Sequence, residues 1–472
     1  MPEQPLAPPA APAAVPSADP GGPDGAEALD RTFEEGGRLL VLRCTQYLLA
    51  FLSGLVVARA LGPVGRAEYI LPLTLATSIW VVVHLSLEAA AARMLARREA
   101  SVVELGRLLS TATLALGALG SLATVLVGLR VQGGLLGNAS DATVILAAAT
   151  IPFTLAGQMA AALLLRIGGL RAFGWISAAS GALQLLLVGA LELGVGLSPE
   201  ITIAVSLVTI AATGLALAAA LAARVGARAL VPALPRGLAG RALRTGASLH
   251  LSSIALFLNL RIDLLLVSAL DTTEAAGLYS LATMLAEVVF LLTWTLALSA
   301  LATQTSASPA AAARYTADFI RQSVVVAAGF ALVTCLGAYP LVRIVYGSEW
   351  SGAVAPLLIL SVGAVALAIE APARGMLLRI ARPRAVSLAA LTALAVNVGA
   401  NLALIPVLGI AGSAIASVLS YWCAAALMLG MLVRGTDVRT RDVLSLPRGD
   451  DLVLRGARAL GARLGVPVRR PA

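Results

Sequence analysis

About twelve apolar stretches, each long enough to cross a bilayer, follow one another along the chain and limit its possible folds more than any motif does. A helix needs roughly 20 apolar residues to span the hydrocarbon core. Such stretches lie near 37–61, 68–92, 107–130, 142–166, 172–194, 199–223, 245–269, 276–302, 320–345, 353–379, 385–407 and 410–433. With 59% hydrophobic residues, 12% charged residues and a mean hydropathy of +0.91, the chain carries more apolar surface than a water-soluble core can hide. Backbone groups in hydrocarbon must be paired inside the segment that carries them, so the sequence predicts an all-α integral membrane protein.

Arginines punctuate the stretches in alternation. Arg93, Arg97, Arg98 and Arg107 join the second and third, Arg166 and Arg171 the fourth and fifth, and Arg224, Arg228, Arg236, Arg241 and Arg244 follow the sixth. Arg314 and Arg321 follow the eighth, and Arg379, Arg382 and Arg384 the tenth. Short positive loops stay in the cytoplasm, so both termini are expected there, and the net charge of +9 reports topology and attraction to anionic lipid, not nucleic-acid binding. Arg59, Arg66, Arg130 and Arg343 mark the edges of the less charged loops between.

The organisation is read as a duplication. Leu61-Gly62-Pro63-Val64-Gly65-Arg66-Ala67-Glu68-Tyr69 links two apolar stretches, and Asp271-Thr272-Thr273-Glu274-Ala275-Ala276-Gly277-Leu278-Tyr279 does the same more than two hundred residues later. An internally repeated, membrane-embedded chain is the usual build of a transporter. Five regions are expected: a disordered cytoplasmic extension over 1–35, a six-helix N-lobe over 36–223, a linker over 224–244 rich in Pro and Gly, a six-helix C-lobe over 245–433, and a basic tail over 434–472. The segments Asp30 to Arg38 and 450–464 are candidates for short surface helices.

Several chemistries find no support. Cys44, Cys335 and Cys423 each lie alone in an apolar stretch, so no disulfide or metal site is expected. No Gly-rich stretch ends in Gly-Lys-Ser or Gly-Lys-Thr, which argues against ATP hydrolysis, and no cofactor is implied. Pro72, Pro152, Pro356 and Pro372 fall inside stretches, where proline frees a backbone carbonyl and permits a kink. His84 and His250 are single histidines in apolar surroundings and read as structural. Gly409, Gly412, Ser413 and Ser417 form a small-residue seam suited to close helix packing.

Charges inside the stretches carry most of the functional information, since an ionised side chain at mid-membrane costs about 2.5–3.5 kcal/mol. Arg43, Arg261, Asp263, Glu287 and Glu370 lie deep enough to matter, and Arg374 lies closer to the cytoplasmic end. Glu370 and Arg374 are four apart with the acid first, a spacing that permits a structural salt bridge. Arg261 and Asp263 are two apart and point to nearly opposite sides of a straight helix, so each needs a partner elsewhere.

Ala58-Arg59-Ala60-Leu61-Gly62-Pro63 with Gly65 and Glu68-Tyr69 resembles the first-to-second helix signature of the polysaccharide biosynthesis flippases in the multidrug/oligosaccharidyl-lipid/polysaccharide exporter superfamily. Arg261-Ile262-Asp263-Leu264-Leu265-Leu266 followed by Ala276-Gly277-Leu278-Tyr279-Ser280 resembles the seventh-to-eighth helix pattern. Asn397, Asn401, Ile405-Pro406, Gly409 and Gly412 to Ser417 resemble the eleventh-to-twelfth. The chain departs from the family's usual composition in having no lysine and only 4% aromatics. The resemblance implies two six-helix bundles in a V around a central cavity, alternating access, and a polyprenyl-diphosphate-linked oligosaccharide as cargo. Its implied setting is the bacterial inner membrane, beside membrane lipids, a polysaccharide polymerase or glycosyltransferases.

A diphosphate headgroup in such a cavity calls for arginine, whose forked guanidinium matches phosphate oxygens. Arg43, Arg261 and Arg374 are the expected headgroup ligands. Asp263, Glu287 and Glu370 either hold those arginines when the cavity is empty or bind a coupling cation. Two other readings stand beside this one. A cation-coupled multidrug or small-metabolite antiporter would favour acidic cavity residues. An integral-membrane glycosyltransferase or polymerase would need acidic catalytic residues near the first outer loop, or a sizeable outer loop, whereas the outer loops here are short with no acidic pair in the first.

Overall fold

The computed structural model of the protein describes residues 23–288, 308–380 and 382–444. Among them there is no strand. The helices are α1 (Pro23–Val83), α2 (Leu87–Ala96), α3 (Val102–Val131), α4 (Asp141–Arg166), α5 (Leu170–Gly194), α6 (Pro199–Val225), α7 (Leu238–Asn259), α8 (Ile262–Leu270), α9 (273–288), α10 (Pro309–Pro340), α11 (Val354–Arg379), α12 (Pro383–Gly435) and α13 (Thr440–Leu444). Serines start four of them. Ser101, Ser140, Ser198 and Ser308 each accept a hydrogen bond from the backbone N–H three residues on, at 3.2–3.4 Å, which satisfies one of the free donors of α3, α4, α6 and α10.

Two helices are too long for a single crossing. A straight helix of 61 residues, like α1, would run about 90 Å, and one of 53, like α12, about 80 Å, against a hydrocarbon core of about 30 Å. Each folds back at one glycine: α1 at Gly62 (φ 65°, ψ −177°) and α12 at Gly409 (φ 56°, ψ −140°). Positive φ is open to glycine at little cost, which is why these reversals fall where they do. Pro63 follows the first directly and Pro406 sits in the last turn before the second. Among the described residues, eight helices are long and apolar enough to cross a membrane, and α7 with α8, bent by 45°, makes a ninth. Splitting α1 and α12 at their reversals gives eleven passes, consistent with the expected twelve. The remaining segment, near 276–302, is described as far as residue 288. Residues 1–22 of the N-terminal extension, the rest of that segment, and the tail from 445, including 450–464, lie outside the described residues.

Two segments expected to be continuous are broken. The second ends at Val83, turns through Leu85 (φ 54°) and Ser86 (φ 49°), and resumes as the separate helix α2. The seventh divides at Leu260–Arg261 into α7 and α8. A straight helix would aim Arg261 and Asp263 in opposite directions through an apolar bundle, and the break lets the two be served separately. Of the prolines, Pro72, Pro152 and Pro372 do lie inside helices. Pro356 instead occupies the first turn of α11, where no intrahelical hydrogen bond is lost.

Three apolar clusters hold the bundle together. One lies in the N-lobe, around Leu105, Ile151, Leu163 and Ile203, and is joined by Leu238 and Ala242 of α7. One lies in the C-lobe, around Ile320, Met376, Val386 and Leu432. The third bridges the lobes, packing Ala58, Leu71 and Leu136 against Leu264, Tyr279, Tyr346 and Trp350. This distal seam sits at the end of the molecule that carries the Gly62 and Gly409 reversals. It is tight: a Cβ on Gly277 would stand 1.8 Å from the Pro63 carbonyl oxygen, so only glycine fits there. At the opposite end, which carries the 226–237 linker, α7 meets the α1–α2 break. There His250 Nε2 donates to the Val82 carbonyl at 2.9 Å, and the His84 and His250 rings lie 5.2 Å apart.

Candidate functional site

The break between α7 and α8 organises the C-lobe charges. Arg261 stands at its corner and extends to Glu287 of α9, Nη1 to Oε1 2.7 Å, with 37% and 33% of the two side chains exposed. Asp263, in the first turn of α8, is only 1% exposed. Its Oδ2 accepts from the Tyr279 hydroxyl at 2.7 Å and from Ser417 Oγ at 2.8 Å, and its Oδ1 from the Leu264 N–H at 2.9 Å. Three donors on one carboxylate replace the water it lost on burial.

A polar chain continues from Asp263 through the C-lobe. Ser420 Oγ donates to the Ser417 carbonyl (2.8 Å), and Asn397 Nδ2 donates to Ser420 Oγ (3.3 Å) and to the Asn259 carbonyl (3.4 Å). Asn401 Nδ2 reaches Asn397 Oδ1 (3.0 Å), and Ser413 Oγ reaches Asn401 Oδ1 (2.7 Å). The chain ties the two arms of α12 across the Gly409 reversal and fastens both to the end of α7. Sequence reading assigned Gly412, Ser413 and Ser417 to packing alone. The structure corrects this, because the serine hydroxyls also serve the buried polar groups.

The other expected residues fall in two further places. Arg374 Nε donates to Glu370 Oε1 at 2.8 Å within α11, with Glu370 4% and Arg374 25% exposed, so the four-residue spacing does form a salt bridge. Arg43 is in the N-lobe, where Nη1 donates to Gln46 Oε1 at 3.0 Å and the guanidinium lies 4.8 Å from the centre of the Phe173 ring of α5. Five of the six expected residues thus belong to the C-lobe. Arg261 with Glu287 and Arg374 with Glu370 are brought together, whereas Asp263 is held by hydroxyls.

One residue was missed. Arg66, read as a loop edge, is 2% exposed inside the distal seam, a full turn into the second arm of α1. Its Nε donates to Ser280 Oγ at 2.8 Å, while Nη2 approaches the Ser280 carbonyl at 3.5 Å and Met284 Sδ at 3.4 Å. Its Nη1 is buried with no partner. The sequence signal was the helix-permissive Val64 to Tyr69 after Pro63, which carries Arg66 into the bundle. Among the described residues no group of acids, histidines and cysteines is placed to hold a metal ion. An apolar cavity of about 300 Å³ opens between α3, α4, α6 and the linker, lined by Leu109, Met159, Leu163, Leu221 and Leu230. None of the six candidate charges lines it.

A family model described as polysaccharide biosynthesis protein matches residues 196–355, a stretch that contains the Arg261 and Gly277-Leu278-Tyr279 patterns on which the resemblance partly rests. No curated protein matches the chain. Among solved structures, the lipid II flippase MurJ in an inward closed conformation superposes with a TM-score of 0.67 at 13% identity, covering 89% of this chain and 92% of its own. A multidrug resistance MATE family transporter of the MOP superfamily, inward-facing, gives 0.65 at 15% identity, covering 84% and 98%. A MOP superfamily transporter from Pyrococcus furiosus, described as having a binding pocket of reverse polarity, gives 0.54 at 15% identity, covering 85% and 94%. The fold is that of these transporters, and the chain is a multi-pass membrane protein.

Proposed function

We propose that the protein is a flippase that carries a polyprenyl-diphosphate-linked oligosaccharide from the cytoplasmic to the outer leaflet of a bacterial inner membrane, for surface polysaccharide synthesis. The observation that carries this reading is the Arg261–Glu287 pair at the helix break, about a third exposed, on a stretch matched by the polysaccharide biosynthesis model. An ion pair left a third exposed can exchange its acid for an incoming phosphate. Arg43 and Arg374 supply further charge for the headgroup, and Glu287 and Glu370 hold the arginines between transport cycles. The arginine-rich loops support a cytoplasmic linker end, with both termini on the same side. The distal seam then faces outward and is shut. A headgroup with roughly two negative charges gains at most about 4.6 kcal/mol per 100 mV when it moves outward across a membrane that is negative inside.

The test is to measure lipid-linked oligosaccharide and surface polysaccharide in cells lacking the gene, with wild-type or Arg261→Gln copies restored. Accumulated intermediate and depleted glycan, rescued by wild type and not by an equally abundant Arg261→Gln protein, is the expected result. Normal glycans together with new sensitivity to cationic dyes would replace this reading with the multidrug antiporter.

A further inference from the structure

The strongest unassigned feature is the cation in the distal seam. Arg66 belongs to the N-lobe, and the partners it reaches across the seam, Ser280 and Met284 of α9, are all neutral. Arg261 and Arg374 each hold a carboxylate. Arg66 touches none, and its Nη1 is left without a partner at 2% exposure. Two more buried donors in the same apolar cluster are also unpartnered: the Tyr346 hydroxyl, which Arg66 reaches electrostatically, and Trp350 Nε1. A guanidinium in hydrocarbon with weak, neutral partners is poorly compensated, and an oxyanion is the partner that its fork matches.

We infer that Arg66 is an anion site on the exit path, which the closed seam covers and which takes the diphosphate of the cargo when the lobes part. Opening carries Ser280 away with the C-lobe and leaves Arg66 on the wall of the gap. A diphosphate bound there favours the open seam, because the closed seam has no room for it, so binding shifts the population toward opening. The inference rests on the flippase reading and adds to it where the headgroup goes after the cavity. It also gives the closed seam a built-in weakness, since the buried charge opposes closure that the surrounding apolar packing favours.

The experiment uses the full chain in liposomes, with Cys44, Cys335 and Cys423 replaced and spin labels at Val195→Cys and Glu349→Cys, exposed positions in different lobes. The probe is inorganic pyrophosphate. In the parent protein it should raise the open fraction several-fold; in Arg66→Met it should have no effect, and in Arg66→Lys a weaker one. Arg66→Met should also melt at a higher temperature, because a poorly paired buried charge has been replaced by an apolar side chain of similar length. A lower melting temperature would assign Arg66 to structure alone and overturn the inference, as would a parent that ignores pyrophosphate or an Arg66→Met protein that responds equally. Normal glycans in cells lacking the gene, with the Arg66-dependent response intact, would remove the cargo and leave the anion site. Disturbed glycans without that response would do the reverse.

Discussion

The two lobes are built from similar helices but differ in whether their buried polar groups join into one network. In the N-lobe, buried hydroxyls turn back onto their own helix: Thr124 onto Gly120 (2.8 Å), Thr150 onto Ala147 (2.6 Å) and Thr202 onto Ser198 (2.8 Å). In the C-lobe some do the same, as Ser361 does onto Leu357 (2.7 Å), but a connected set reaches across helices, from Tyr279 and Ser417 to Asp263 and from Ser413 to Asn401. A hydroxyl bonded to its own backbone adds little to tertiary structure, whereas one bonded to a neighbouring helix fixes how the helices meet. The N-lobe is therefore held mainly by apolar packing, with isolated bonds between helices such as Ser121 Oγ to the Ala148 carbonyl (2.8 Å) and Thr213 Oγ1 to Ser180 Oγ (2.7 Å), whereas the C-lobe is keyed by a connected polar core. A transporter gains from this division if one lobe keeps a rigid set of charges while the other moves past it.

The contrast can be broken most forcefully at Asp263. Asp263→Ala removes the shared acceptor of the Tyr279 and Ser417 hydroxyls, leaving them each other at 3.3 Å, and should cost about 3 kcal/mol, seen as a large fall in melting temperature in detergent. An unchanged melting temperature would mean that the polar core does not key the C-lobe. Gly277→Ala comes next. Its Cβ would meet the Pro63 carbonyl at 1.8 Å, so the seam must part, at about 1–3 kcal/mol, with a longer distance between distal labels on the two lobes as the readout. Ser413→Ala should cost about 1 kcal/mol by leaving Asn401 Oδ1 without that donor. The N-lobe counterpart, Thr124→Val, should fall within about 0.5 kcal/mol of wild type, since it removes only a bond to its own helix. Equal losses for these last two would erase the distinction between the lobes. At the small end, Gly399→Ala in α12, where an added Cβ meets nothing within 4 Å, should stabilise by about 0.5–1 kcal/mol in thermal unfolding.

How far the sequence reached differs from residue to residue. The Glu370–Arg374 pair was legible because an (i, i+4) contact is local to one helix. The need of Arg261 and Asp263 for separate partners was also legible, since a two-residue offset fixes their directions. Which partners they find was not, because Glu287, Tyr279 and Ser417 lie on other helices, and their approach depends on the bend at Leu260–Arg261. The break at Leu85 and Ser86 left no glycine or proline to announce it.

By itself, the sequence determined the membrane setting, the all-helical build, and the list of charges that hydrocarbon makes costly. These follow from the solvent: a bilayer forces apolar length and internal hydrogen bonding on every crossing segment. Only the tertiary structure decided that Asp263 is sealed by hydroxyls, that Arg261 keeps a partly exposed acid, and that Arg66 is buried between the lobes with a free N–H. Burial and pairing across helices are set by how distant segments pack, and linear spacing carries no record of that.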